Sequence, residues 1–219
     1  MTFTIIVNFK HYRQSSGPDC DRMLKNLVSC KKKSGVDVYY AVGPSDLRSS
    51  VSIAPGRIIA QSVDTLSMGA YTGSLSVEFL KISGVAGSLL NHSEKRVSAS
   101  TVKDLQEGTS GQKFQLYICA ENLEEVRAFA SMKPGFVAYE PPELIGGDIS
   151  VSKAKPEIIS EASAICRENH VELLVGAGVK TAGDVVRSKE LGASGILIAS
   201  GVVLSSDPAN ALNSLIEAV

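Results

Sequence analysis

The stretch Phe136-Val137-Ala138-Tyr139-Glu140-Pro141-Pro142-Glu143-Leu144-Ile145-Gly146-Gly147 reads as a strand followed by a hinged loop. The apolar run Phe136–Tyr139 delivers a single carboxylate, Glu140, to the end of the strand. Pro141 and Pro142 fix φ and stiffen the exit, whereas Gly146 and Gly147 leave the far side permissive. A rigid hinge at one end and a loose one at the other would suit a mobile lid hung on a catalytic base. Two further polar clusters, Asn8-Phe9-Lys10 and Asn91-His92-Ser93-Glu94, also sit just after apolar runs. Three such clusters at three strand ends predict one site on a parallel barrel.

Working outward, apolar runs of strand length recur eight times: Thr4–Phe9, Val36–Val42, Ile58–Gln61, Val85–Leu90, Phe114–Cys119, Phe136–Tyr139, Val171–Gly176 and Gly195–Ala199. Several are continuous and β-branched, as in strands covered on both faces. Helical patterns fall between them. Pro18 opens one, with Cys20, Met23, Leu24, Leu27 and Val28 on one face. Asn122 with Glu125, and Thr181 with Asp184, read as capping boxes. Pro156 belongs in the first turn of a helix through Ile158, Ala162 and Ile165, and Asp207-Pro208 starts the last helix. The region from Glu94 to Phe114 has only a weak period, and a helix is placed there. Strand and helix alternate without a linker or low-complexity tract, which implies a parallel α/β fold. Eight units in one domain over residues 1–219 favour a closed (β/α)8 TIM barrel over an open doubly wound sheet. The chain is shorter than the typical ~250 residues of that fold, so some helices must be short or missing.

The chain of 219 residues is 44% apolar, which suits a globular domain with a substantial core. A net charge of -1 gives no reason to expect a nucleic-acid or anionic-membrane partner. The apolar runs are broken well short of a membrane span, and the start of the sequence shows no basic n-region or cleavage site, so no secretory signal is expected. Cys20, Cys30, Cys119 and Cys166 form no CxxC pair and read as reduced, mostly buried thiols of a cytoplasmic protein.

In a (β/α)8 barrel, catalytic groups occupy the carboxyl ends of strands. Asn8 and Lys10 follow the first strand, His92 and Glu94 the fourth, Glu140 the sixth, Gly178 the seventh, and Ala199-Ser200 the eighth. Taken singly, each has a plainer explanation: a solvated lysine, a hydrogen-bonded structural histidine, a loop carboxylate. Their convergence on one end of one barrel favours a site. The small-residue turns Val175-Gly176-Ala177-Gly178 and Ala199-Ser200-Gly201 let main-chain N–H groups approach an anion, and barrels often bind a substrate phosphate there. Tight packing at barrel corners would use the same residues. The sequence has no GxGxxG after a strand, no P-loop and no metal-ligand cluster, and its histidines His11, His92 and His170 are dispersed, so no cofactor and no metal is expected. A Schiff base at Lys10 is conceivable, but the position suits a charge stabiliser better.

Asn8-Phe9-Lys10, Gly69-Ala70-Tyr71-Thr72-Gly73, Asn91-His92-Ser93-Glu94-Lys95-Arg96 and Tyr139-Glu140-Pro141-Pro142-Glu143-Leu144-Ile145-Gly146 resemble, in order and over essentially the whole chain, the motifs of the triosephosphate isomerase family in its short archaeal form. That resemblance implies interconversion of dihydroxyacetone phosphate and glyceraldehyde 3-phosphate through an enediolate, in glycolysis and gluconeogenesis. It implies Glu140 as base, neutral His92 as electrophile, and Lys10 as oxyanion stabiliser oriented by Asn8. Glu94 joins the catalytic set. Ile145, Gly146, Gly178, Ala199 and Ser200 would hold the phosphate, with Asn8 and Lys10 also touching the substrate. It further implies a homodimer, with tetramers possible, in which Thr72 projects toward the partner's site.

Some motifs depart from the common pattern. There is no tryptophan in the lid hinge, the usual Tyr-Gly-Gly-Ser is replaced by Val175-Gly176-Ala177-Gly178, and Asn91 stands where glycine is usual. The lid must therefore be held by contacts other than the usual Tyr and Ser hydroxyls. Two competitors remain at this level: a phosphate-binding barrel of amino-acid or cofactor biosynthesis, and a catalytically silent barrel that binds a triose phosphate or another protein.

Overall fold

The computed structural model describes residues 2–144 and 150–219. Eight strands close into a barrel: β1 (Phe3–Asn8), β2 (Val36–Val42), β3 (Ile58–Ala60), β4 (Gly87–Leu90), β5 (Gln115–Ala120), β6 (Phe136–Tyr139), β7 (Glu172–Val175) and β8 (Gly195–Ile198). Every neighbouring pair is parallel, and β8 closes on β1 with Thr4 opposite Gly195 and Val7 opposite Ile198. Closure leaves no strand edge unpaired. All eight apolar runs read from the sequence form strands, with ends that agree to within two residues.

The outer layer consists of α1 (Pro18–Val28), α2 (Leu47–Ile53), α3 (Val77–Ile82), α4 (Ala99–Thr109), α5 (Leu123–Ser131), α6 (Val151–Ala154), α7 (Pro156–Glu168), α8 (Ala182–Glu190), α9 (Ser200–Val203) and α10 (Pro208–Glu217). Proline stands in the first turn of α1, α7 and α10, where its missing N–H has no partner to lose. The weakly periodic region does contain a helix, α4, capped by Ser98, whose side chain accepts from the Thr101 N–H. Thr181 and Asp184 form a complete capping box on α8. The box expected at α5 is only half formed. Asn122 accepts from the Glu125 N–H, but the Glu125 carboxylate turns away to the Glu121 N–H and to the Arg96 guanidinium. A charge-assisted pair with Arg96 outcompetes the neutral N-cap donor. The helices α2, α3, α6 and α9 escaped the sequence reading because elements this short do not display a 3.6-residue period.

The core has two layers. Inside the barrel, Ile6, Ile59, Leu89, Ala138, Leu174 and Leu197 pack with Tyr117 and Cys119. Between barrel and helices lie Ile5, Val7, Leu24, Ile118, Val137, Val175 and their neighbours. Side chains alternate along each strand, so the inward set has a period of two. Continuing that period one step past the inner core reaches Asn8 after Ile6, Gln61 after Ile59, Asn91 after Leu89, Glu140 after Ala138, Gly176 after Leu174 and Ala199 after Leu197. The carboxyl end of the barrel thus closes in a ring of polar and small residues above an apolar core.

Candidate active site

Around this ring a pocket is lined by Asn8, Lys10, His92 and Glu140 on one side and by Gly178, Ala199 and Ser200 on the other. A second lobe continues past Lys10 and His92 over Glu94 and Gln61. Ile145 and Gly146 lie outside the described residues. Thr72 is exposed in the connection between β3 and α3, away from this chain's own pocket lining.

Lys10 leaves β1 with a φ of 49°, a left-handed conformation uncommon for a residue with a side chain. Asn8 holds it there: its Oδ1 accepts from the Lys10 N–H at 3.0 Å and from Gln61 Nε2 at 3.3 Å. Gln61 also reaches the Lys10 carbonyl at 3.1 Å. The Lys10 side chain is only 13% exposed, and its ammonium donates to Glu94 Oε1 at 2.7 Å. Partial burial alone would push the Glu94 carboxyl up, but the Lys10 hydrogen bond and charge, aided by His92 and His11, hold it below its ordinary value.

His92 follows a second left-handed residue, Asn91, with φ 62°. Asn91 compensates its conformation with two side-chain hydrogen bonds to backbone. Its Nδ2 donates to the Cys119 carbonyl at 3.0 Å, and its Oδ1 accepts from the Val97 N–H at 3.1 Å. Asparagine can stand in for glycine here because its short amide bonds to nearby backbone. On the ring itself, Nδ1 accepts from the Glu94 N–H at 3.2 Å. That bond assigns the imidazole proton to Nε2, the nitrogen that faces Glu140 Oε2 at 3.6 Å.

Glu140 is buried, and its Oε2 has no hydrogen-bond partner among the described residues. Burial pushes its carboxyl up; His92, the Cys119 thiol and Lys10 oppose that without cancelling it. A buried carboxylate of raised pKa in a cleft, with one free oxygen, is suited to taking a proton from a ligand. Its position depends on Gly176. A Cβ at that residue would run into the Glu140 carboxylate, so only glycine leaves it room.

Past β7, Ala177 and Gly178 take consecutive left-handed conformations, with φ 62° and 70°. Among the described residues, five non-glycine residues have positive φ, and three of them (Lys10, Asn91, Ala177) stand at strand ends around this pocket. The other two, Lys133 and His170, follow the ends of α5 and α7, where such bends are ordinary caps. Non-standard backbone costs about 1–3 kcal/mol per residue and tends to cluster where function needs it.

Sequence reading missed Tyr12 and Lys180, which line the pocket. It also missed the clamp by Gln61 and the contact of Cys119 with Glu140. Gln61 carried a usable signal: a polar side chain on the inward period at the end of the third run. Cys119 carried none, because a buried cysteine in a strand reads as core.

A family model described as "Triosephosphate isomerase" matches residues 3–219. The chain is 42% identical to a triosephosphate isomerase of Thermoplasma volcanium, over 98% of this chain and all of the relative. It is 39% identical to those of Methanothermus fervidus, over 97% of this chain and 96% of the relative, and of Cenarchaeum symbiosum, over 98% and 97%.

Proposed function

The chain belongs to the triosephosphate isomerase family and is an isomerase that interconverts dihydroxyacetone phosphate and D-glyceraldehyde 3-phosphate; from that premise we propose that Glu140, His92 and Lys10 carry the reaction. Glu140 takes the proton from the carbon next to the carbonyl and returns it to the neighbouring carbon. His92 donates from Nε2 to the carbonyl oxygen and shuttles protons between the two oxygens of the enediolate. This family is the usual illustration of such a Glu/His pair. Lys10 stabilises the developing oxyanion, and Asn8 sets the Lys10 backbone. Glu94 holds the ammonium in place and fixes the imidazole through its N–H. Main-chain N–H groups of Gly178, Ala199 and Ser200, with Ile145 and Gly146, receive the phosphate. Hydrogen only moves within one molecule, so the reaction needs no redox cofactor.

The observation that carries this assignment is the Oε2 of buried Glu140, without a hydrogen-bond partner among the described residues, facing His92 Nε2 at 3.6 Å, with Lys10 in the same pocket. Purified protein is expected to convert glyceraldehyde 3-phosphate to dihydroxyacetone phosphate without added metal or nucleotide. Absence of turnover by folded protein would return the question to the other phosphate-binding barrels.

Residues 1–219 act as one catalytic domain in this reading, in the cytoplasm and in glycolysis and gluconeogenesis. Among the described residues no helix is long and apolar enough to cross a membrane. The working unit is a homodimer, with pairing of dimers into a tetramer open. Met68, Tyr71, Phe79 and Ile82 support it, since all four are exposed in one stretch of chain that includes Thr72, and Ile82 is 73% exposed. Covering such apolar surface is what an interface does. Sedimentation velocity should give a mass of at least two chains, and Ile82→Asp should lower it; a monomer at micromolar concentration would remove this part.

A further inference from the structure

Asp184 is the third residue of α8 and is 2% exposed. Its two oxygens do different work. Oδ2 accepts from the Thr181 N–H at 2.9 Å, the Thr181 hydroxyl at 2.8 Å and the Lys180 N–H at 3.1 Å. Those bonds are what a helix cap needs. Oδ1 is left over from the cap and reaches across to another segment: it accepts from the Ser150 hydroxyl and the Lys153 ammonium, each at 2.8 Å. Ser150 and Lys153 belong to the stretch through which the chain returns from the Glu140 loop, and the Val151 N–H there donates to the Ala177 carbonyl at 3.2 Å. Ala177, Gly178, Val179 and Lys180 line the pocket. Burial alone would push the Asp184 carboxyl up, but the bonds from Lys153, Ser150, Thr181 and Lys180 outweigh it and hold the carboxyl well below the usual carboxylate range.

We propose that Asp184 is a positioning residue for the phosphate end of the substrate: it pins residues 150–154 to residues 177–181 and so sets the backbone that receives the phosphate. Val175-Gly176-Ala177-Gly178 carries no side-chain hydroxyl of its own, and the Asp184 carboxylate bonds to the Lys180 and Thr181 N–H groups that follow it. This inference rests on the isomerase reading for its substrate, but not for its test.

Asp184→Asn keeps the volume and one oxygen able to cap α8, but its amide nitrogen cannot accept from Ser150 and no longer attracts Lys153 as a charge would. Inorganic phosphate titrated into wild type and variant, followed by amide chemical shifts, should show binding weakened by about tenfold, the scale of a lost charge-assisted hydrogen bond. KM for glyceraldehyde 3-phosphate should rise by a similar factor while kcat falls less. Ser150→Ala, which leaves the cap intact, should reproduce a smaller change of the same kind and decides the matter where Asp184→Asn fails to fold. Reduced thermal stability with unchanged phosphate affinity and KM would mean a plain helix cap and overturn the proposal. Weakened phosphate binding in a protein without isomerase turnover would keep Asp184 in this role and remove the isomerase site. Normal turnover with phosphate binding unaltered in both variants would do the reverse.

Discussion

Replacing Glu140 by Gln is expected to lower kcat by roughly 10²–10⁴-fold, the usual worth of a positioned general base, with KM changed little. The amide is close to isosteric, so the pocket keeps its shape while the group that takes the proton is lost. A base missing only from the transition state depresses kcat and kcat/KM together, whereas a general distortion would also raise KM. In the wild type, the acid limb of kcat/KM should lie above the ordinary glutamate range, because burial pushes the Glu140 carboxyl up against the opposing pull of His92, Cys119 and Lys10.

The same shift has a stability consequence with a definite sign. A carboxyl whose folded pKa exceeds its unfolded value binds its proton more tightly in the native state. Its contribution is fully present below the unfolded pKa and is lost as pH rises through the folded one. Once ionised, Glu140, whose Oε2 has no hydrogen-bond partner among the described residues, is therefore a burden on the fold. Glu140→Gln should melt higher than the wild type at pH 8, by a margin that shrinks as the pH is lowered. Loss of activity with an equally large loss of stability at pH 8 would count against this account of the site.

Lys10→Met is expected to reduce kcat/KM by about 10²–10³-fold, the cost of losing one preorganised oxyanion partner. Methionine keeps an unbranched chain of similar reach in the space that the Lys10 stem fills, so the loss is mainly of charge. The ammonium is held ready by Glu94 at 2.7 Å and by the backbone clamp of Asn8 and Gln61. Its removal has a second effect. Lys10 pulls the Glu140 carboxyl down while Glu94 pushes it up, so the variant leaves the Glu94 repulsion unopposed by that cation. The acid limb of kcat/KM should move to higher pH in Lys10→Met. A reduced rate with an unmoved acid limb would place Lys10 outside electrostatic reach of Glu140.

The eight strands were legible because buried parallel strands read as unbroken apolar runs, and eight of them alternating with helical patterns leave few architectures. The short helices were not legible, nor was the detour of Glu125 to Arg96, since a local capping rule does not see a cation from another loop. In the pocket, Asn8, Lys10, His92, Glu94 and Glu140 stood out as polar residues at the ends of apolar runs. Tyr12, Cys119 and Lys180 did not, because each looks ordinary beside its chain neighbours, whereas Gln61 was marked only by its place on the inward period of the third run.

The sequence by itself determined the order of strands, the residue types at their carboxyl ends and the family, because these follow from hydrophobic period and local motif. Only the tertiary structure decided that Glu94 clasps Lys10, that Gly176 makes room for the Glu140 carboxylate, and that one oxygen of Asp184 caps a helix while the other holds Ser150 and Lys153. Those relations join residues that lie far apart in the chain or turn on the aim of a single atom. Barrel closure brings them within a few ångströms, where burial and charge set what each group can do.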